Sequence, residues 1–350
     1  MNQIKLKKMI PLLLAWYEKN KKALPWRNNP SPYHVWLSEI MLQQTRIEAV
    51  IPYYERFLKE LPNIQALAEV PDDKLMKLWE GLGYYSRARN LKKAAIEIME
   101  HHNGNLPEDA ETLRKLPGIG DYTAGAIASI SFGKPEPAVD GNVLRVIMRY
   151  LGKDDDISLQ CTKKAVANEL RVIYPCGENA KNLTQAIMEL GEALCIPNGA
   201  PKCEFCPIAA QCEANIKNLT DSIPFKSPKK ARKREEKTVF LLSCRGRYAI
   251  CKRPETGLLA KLWEFPNTSG NLSEEDAFEH LSNLGLSPLS VAPSVDAVHI
   301  FTHIEWHMKG YVAECLYPSE SFTWETKETI LSQYAIPSAF RAYINHLKKE

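Results

Sequence analysis

The chain has 350 residues, 45% of them apolar and 25% charged, with a formal net charge of +3. This length suits two domains that each bury a core, and the composition is that of an ordinary soluble protein. The slight basic excess points only weakly to a polyanionic partner and excludes none, because a local basic patch is enough.

The first stretch, MNQIKLKKMIPLLLAWYEKN, sets lysines before an apolar run too short for a membrane span. It lacks a small-residue cleavage site, and Ile10, Leu13, Leu14 and Tyr17 fit one face of an amphipathic helix. No other long apolar run follows, so a soluble intracellular protein is expected. Up to about residue 215 the chain reads as helical. Ile47, Val50, Ile51, Tyr54 and Leu58 repeat at helical spacing, as do segments near Asp73–Trp79, Ser86–Met99 and Thr162–Val172. Asn28-Asn29-Pro30, Leu61-Pro62-Asn63 and Asn103-Gly104 are turn signals. In LPWRNNPSPYHVWLSEIMLQQT, Glu39 sits among Trp36, Leu37, Ile40 and Met41. Apolar surroundings raise a carboxyl pKa and let the group hold a proton near neutrality.

The chain is organised around Leu116–Asn142, LPGIGDYTAGAIASISFGKPEPAVDGN. Pro117 sets off a tight Gly118-Ile119-Gly120 turn. A helix follows from about Tyr122, with Ala124, Ile127 and Ala128 on one face. A Gly turn opening a helix exposes N–H groups where the dipole favours an anion such as a phosphate. A stiff loop, Lys134-Pro135-Glu136-Pro137, then delivers Asp140 to the next helix, on which Val143, Val146, Ile147 and Tyr150 share a face. The N–H dipoles at that helix start are expected to favour the Asp140 charge, so that its pKa and that of Glu39 are pushed apart.

Nine cysteines occur, and Cys195, Cys203, Cys206 and Cys212 form the pattern C-x7-C-x2-C-x5-C after a helix ending near Leu194. In a chain without a secretory signal this reads as metal binding rather than a disulfide framework. The ligand chemistry permits a tetrahedral zinc or a 4Fe–4S cluster. Cys161, Cys176, Cys244, Cys251 and Cys315 read as ordinary buried or half-buried thiols. Residues 222–236, SIPFKSPKKARKREE, are basic and poor in core residues, and read as a linker. Beyond it, Thr238–Ser243, Tyr248–Lys252, Ala297–Phe301 and Trp306–Cys315 read as strands and Glu274–Leu284 as a helix, a small α+β domain.

Taken together, these stretches resemble the endonuclease III superfamily of DNA glycosylases. LPGIGDYTA is similar to its helix-hairpin-helix, and VDGNVLRV to the loop and catalytic Asp that follow. Residues 24–45 resemble the adenine-specific MutY branch. The resemblance implies a multidomain α and α+β fold: an all-helical region with an iron–sulfur loop over 1–221, the linker, and a Nudix-like recognition domain over 237–350. It implies that Glu39 protonates adenine, that Asp140 stabilises the sugar cation, and that Tyr122 and Asn142 orient them. Trp26, Arg27 and Gln185 match the adenine pocket. Gln44 and Thr45 match residues that hold the partner strand, and the exposed-looking GLGYYSRARNL matches a wedge carried by Leu82 and Tyr84. Pro117, Gly118 and Gly120 match the phosphate grip.

The superfamily places a 4Fe–4S cluster on the four clustered thiols. Its usual first spacing is one residue shorter, and the turn-rich Ile196–Lys202 can absorb the extra one. Lyase members carry a Lys where this chain has Tyr122, so a monofunctional, water-driven base removal is implied. TGLLAKLWEFP resembles a strand of the MutT/Nudix-like domain. AFEHLSNLGL lacks the Glu-rich magnesium helix, which implies binding rather than hydrolysis there. VHIFTHIEW, with His299, Phe301, Thr302 and His303, resembles the loop that reads 8-oxoguanine. The implied partner is duplex DNA carrying an adenine:8-oxoguanine mispair, met by a monomer at the nucleoid. Two other classes share parts of the pattern. Tyr122 and the C-terminal domain argue against an endonuclease III-like pyrimidine glycosylase/lyase. Glu39 together with Asp140 argues against a non-enzymatic iron–sulfur DNA-binding protein.

Overall fold

A computed structural model describes residues 2–28, 30–228 and 231–349. Asn29 of the first expected turn, and Lys229 and Lys230 of the expected linker, lie outside the described residues. The chain forms two compact units: Met1–Glu69 with Arg89–Pro228, and Val70–Ala88 with Lys229–Glu350.

The first unit is helical. It contains α1 (Asn2–Asn20), α2 (Pro32–Leu42), α3 (Ile47–Glu60) and α4 (Ile64–Glu69). After α5 (Asp72–Trp79), which belongs to the other unit, come α6 (Ser86–His101), α7 (Ala110–Leu113), α8 (Asp121–Phe132), α9 (Gly141–Leu151), α10 (Gln160–Arg171), α11 (Glu178–Ala193) and α12 (Glu213–Ile216). Helix α8 is central. Every residue from Thr123 to Ser129 is buried, and its small side chains let α2, α7 and α11 pack against it. The core joins Leu6, Met9, Leu13 and Tyr17 of α1 to Val143, Val146, Ile147 and Tyr150 of α9 and Leu183, Ile187 and Leu190 of α11. The expected α1 stripe is displaced: Ile10 and Leu14 are only half-buried, while Leu6 and Met9 are fully buried. In α3, Phe57 takes the deep position rather than Leu58.

The second unit is built on a sheet of β1 (Lys233–Cys244), β2 (Arg247–Lys252), β3 (Trp263–Glu264), β4 (Asn267–Ser269), β5 (Pro288–Pro293), β6 (Ala297–Ile300), β7 (Ile304–Cys315) and β8 (Thr323–Glu325). The order is β3-β2-β1-β7-β5; β4 joins β1, β6 joins β7 and β8 joins β2. The central pair β1–β7 is parallel, from Lys233↔Ile304 to Ser243↔Glu314. Both faces of this pair are buried, so β1 reads as a continuous apolar run rather than an alternation. Val239 and Leu241 face one core, with Trp306 and Met308. That face is closed by α14 (Lys327–Gln333) and α15 (Arg341–Leu347) through Ile330, Tyr343 and Leu347. Phe240 and Leu242 face the other core with α13 (Glu274–Asn283), through Ala277 and Leu281.

Two sequence-based boundaries change. The last four residues of the expected linker, Lys233–Glu236, already form β1, because their backbone pairs with β7. Residues 70–88, expected in the helical region, belong to the sheet unit. Lys77 Nζ donates to the carbonyls of Leu331 (2.7 Å) and Tyr334 (3.0 Å), Glu80 accepts from the Ile336 amide (3.0 Å), and Asp73 pairs with Lys252 (3.1 Å). Helical periodicity identifies α5 as a helix but says nothing of what its polar face docks against.

Candidate active site

Glu39 lies in α2 with only 8% of its surface exposed. It is in the second half of a helix whose residues from Val35 to Met41 are all buried. Burial pushes its carboxyl up to about 7. The Tyr122 hydrogen bond opposes the rise, Asp140 adds to it and Arg27 opposes it. Tyr122, in the first turn of α8, donates its hydroxyl to Glu39 Oε2 at 2.6 Å. Its own pKa is raised well above the ordinary phenol value, first by burial and then by Glu39 and Asp140.

Asp140 caps α9. Its Oδ1 accepts from the Val143 amide at 2.7 Å and its Oδ2 from Asn142 Nδ2 at 2.9 Å. The helix start does not set its pKa alone: burial raises the Asp140 carboxyl above its ordinary value, and the Val143 and Asn142 hydrogen bonds pull it back. That corrects the expectation of two environments pulling in opposite directions. What separates the two carboxyls is the number of donors each receives. Gly125 makes the approach of the Asp140 loop to α8 possible, since a Cβ there would lie 2.4 Å from the Pro137 carbonyl oxygen.

A cavity of about 560 Å³ gathers Glu39, Tyr122, Asp140 and Asn142 with Trp26, Arg27, Gln185 and Thr45. Trp26 is buried edge-on to Tyr54, with ring centroids 5.4 Å apart. Gln185 donates to the Lys181 carbonyl at 3.2 Å. Arg27 donates to the Lys22 carbonyl at 2.8 Å and pairs with Glu189. The cavity therefore pairs an apolar aromatic wall with converging polar groups, the usual make-up of a small-molecule or base pocket.

The other expected contact residues lie elsewhere. Gly118 and Gly120 are exposed around buried Ile119, and Pro117 is half-buried. Gly118 adopts a φ of +77°, and a Cβ there would lie 2.7 Å from Asn90 Cβ. Gln44 and Tyr84 both hold left-handed backbone, with φ of 59° and 47°, a conformation that is strained for such side chains. Tyr84 is 48% exposed, but Leu82 is buried. Arg87 also turns inward, donating to the Leu82 and Gly83 carbonyls at 3.0 and 3.1 Å. Of the expected wedge pair, only Tyr84 presents surface. The Tyr84 hydroxyl lies 3.2 Å from Thr302 Oγ1 within the sheet unit. Thr302 and His303 are exposed; Phe301 is half-buried, packed on Trp306 at 4.9 Å.

Cys195, Cys203, Cys206 and Cys212 line one small cavity beside α9. The Lys202 amide donates to the Leu194 carbonyl at 3.0 Å, closing the longer first loop at its base. Burial pushes the Cys206 thiol up to about 12 and raises Cys203 and Cys212, so thiolates here need a positive partner. Arg149 Nη1 donates to Cys195 Sγ at 3.4 Å. Two residues of this network escaped sequence reasoning. Arg145 joins Asn142 Oδ1 (2.8 Å) to the carbonyls of Gly191 (2.8 Å) and Cys195 (2.6 Å), and Arg149 holds Ile196, Thr220 and Ile223 through their carbonyls. The only signal was their i, i+4 spacing off the apolar stripe of α9.

Residues 37–176 match the HhH-GPD superfamily base excision DNA repair protein family, and 238–346 match the NUDIX domain. An adenine DNA glycosylase of Buchnera aphidicola subsp. Acyrthosiphon pisum is 34% identical, over 89% of this chain and 88% of its own. The chain belongs to the adenine DNA glycosylase family. It is an N-glycosyl hydrolase of base excision repair, and its partner is DNA. The Mus musculus adenine DNA glycosylase is 33% identical over 95% of this chain and 77% of its own. A thermostable thymine-DNA glycosylase superposes with a TM-score of 0.55 at 28% identity, covering 61% of this chain and 97% of that one. An endonuclease III–DNA complex shares the helical fold, with a TM-score of 0.53 at 24% identity, covering 63% and 99%. Among the described residues no helix is long and apolar enough to cross a membrane.

Proposed function

We propose that the protein hydrolyses the N-glycosidic bond of adenine mispaired with 8-oxoguanine in duplex DNA. The observation that carries this reading is the shared cavity of Glu39, Tyr122 and Asp140. Adenine must leave the base stack to reach it, at a cost of a few kcal/mol. The Gly118–Gly120 turn grips a phosphate while Gln44, Thr45 and Tyr84 hold the opposite strand. Trp26, Arg27 and Gln185 receive the base. Glu39, protonated near neutrality, donates its proton to the adenine and makes it a better leaving group. Asp140, held by Asn142 and Val143, stabilises the positive sugar as an ion pair or covalent adduct. Glu39, now a carboxylate, takes a proton from the attacking water. Tyr122 stands where a lyase would need an amine, so no Schiff base forms.

Phe301, Thr302 and His303 form the loop that reads 8-oxoguanine. The four thiols would hold a 4Fe–4S cluster, and when loaded they would tie together the loop after α11. Support for this comes from four thiols lining one cavity. The test is timed release of adenine from duplexes pairing it with 8-oxoguanine, guanine or cytosine, with borohydride added. Fast release opposite 8-oxoguanine without a trapped adduct is expected. Release of a pyrimidine with a trapped adduct contradicts the reading.

A further inference from the structure

One buried charge in the cavity is used by none of these steps. Glu189 lies on α11, four residues after Gln185, and is 5% exposed. Its carboxylate pairs with the Arg27 guanidinium and accepts from the Lys22 amide at 3.3 Å. One turn closer to the helix end, Glu192 pairs with Lys22 Nζ at 2.9 Å. Helix α11 thus clamps both ends of the short segment that carries Trp26 and Arg27. The guanidinium also lies over the Tyr17 ring, 5.7 Å from its centroid.

We propose that Glu189 is a positioning residue of the base pocket, which fixes the Trp26–Arg27 wall and neutralises the guanidinium charge that faces Glu39. This rests on the reading of Glu39 as proton donor. Three charged or titratable groups act on Glu39: Tyr122 from α8, Asp140 from the loop before α9, and Arg27. Arg27 lowers the Glu39 pKa. Around the Arg27–Glu189 pair stand Tyr17 and Glu18 of α1, Lys22, and Glu178 and Glu192 of α11. Glu189 is the anion in direct contact with the guanidinium, so it screens that charge most strongly. Its removal leaves the cation unopposed, which favours ionised Glu39 and shortens the pH range in which Glu39 can donate.

The test is the pH profile of single-turnover adenine release by the full chain on an adenine:8-oxoguanine duplex. In Glu189→Gln the alkaline limb is expected to move down by about half a unit, which lowers the rate about threefold above the limb. Glu189→Asp, which keeps the charge one methylene further away, is expected to move it less in the same direction. It serves alone if the Gln variant does not fold. The charge-neutral double variant Arg27→Met/Glu189→Gln should return the limb to the wild-type position or above it, whatever its absolute rate. A uniform rate loss with an unmoved limb, or an upward shift in Glu189→Gln, overturns the proposal. The wild-type profile separates this from the parent reading: if wild-type protein releases no adenine, the function is wrong; if it does and the limb stays fixed, only Glu189 is misassigned.

Discussion

The Tyr122 hydroxyl donates to Glu39 Oε2 across 2.6 Å, joining the first turn of α8 to the buried acid of α2. The phenol keeps its proton because burial and two nearby carboxyls raise its pKa. On the proposed mechanism it therefore orients Glu39 without competing for the proton that Glu39 delivers. With the Glu39 carboxyl pushed up to about 7, single-turnover adenine release should be flat below neutrality and fall about tenfold per pH unit above it. A rate that rises through pH 7 would show that the acid is not Glu39.

The same burial makes Glu39 a stability cost. Burial pushes its carboxyl from the ordinary 4.5 up to about 7. Between those values the folded state binds more protons, so stability falls as pH rises through the window and the cost is complete above it. The shift of roughly 2.5 units corresponds to a few kcal/mol at most. Glu39→Gln should therefore melt higher than wild type above pH 7 and lose that advantage towards pH 4.5. Equal melting temperatures at both ends would mean that Glu39 is not desolvated in solution.

Arg145 is buried and joins Asn142 to the carbonyls of Gly191 and Cys195. Arg145→Met leaves these acceptors without their donor, at about 1–3 kcal/mol for each unsatisfied group. The melting temperature and the rate of base release should both fall. Asn142→Ala, which removes one contact to Asp140 and one acceptor of Arg145, should slow release but lower the melting temperature less than Arg145→Met, because Arg145 Nη2 keeps the Gly191 carbonyl. Unaltered kinetics in Asn142→Ala would detach this network from the chemistry.

Thr302 meets Tyr84 within the sheet unit, so the loop proposed to read 8-oxoguanine and the proposed wedge residue share one surface. Thr302→Ala with His303→Ala should reduce the preference for 8-oxoguanine over guanine on the order of tenfold, since hydrogen bonds to a base edge discriminate by about 1–3 kcal/mol. Release from adenine:guanine duplexes should be nearly unchanged. Equal loss on both substrates would remove this loop from lesion reading. Deleting the chain after residue 228 is a poorer test, because it also strips Asp73, Lys77 and Glu80 of their partners within the sheet unit.

Protein prepared without oxygen should contain iron and absorb near ~400 nm, as thiolate-bound clusters do. Stoichiometric zinc without iron would contradict the cluster.

The residues proposed for catalysis and for the cluster were legible because each sits beside a local signal: Glu39 in an apolar run, Asp140 ahead of an amphipathic helix, the cysteines by spacing. Local pattern also found α3, α6, α10 and the C-terminal end of β7. It missed β5, whose Pro288 and Pro293 argue against a strand, although they are tolerated at a sheet edge. It missed β3, β4 and β8, which are too short to show a period. It could not see that Leu82 and Arg87 point inward, or that Arg145 and Glu189 are buried with partners, because those facts depend on residues distant in sequence. The direction of the Asp140 shift was misjudged for the same reason: a helix start is local, and burial is not.

Asp140→Asn tests the centre of this account most directly. Asn is as good a helix cap as Asp, so α9 should hold and only the negative charge is lost. Single-turnover adenine release should fall on the order of a thousandfold, while binding to the adenine:8-oxoguanine duplex is retained. If the variant keeps most of its rate and loses binding instead, Asp140 is a helix cap alone and the two-carboxylate chemistry is wrong.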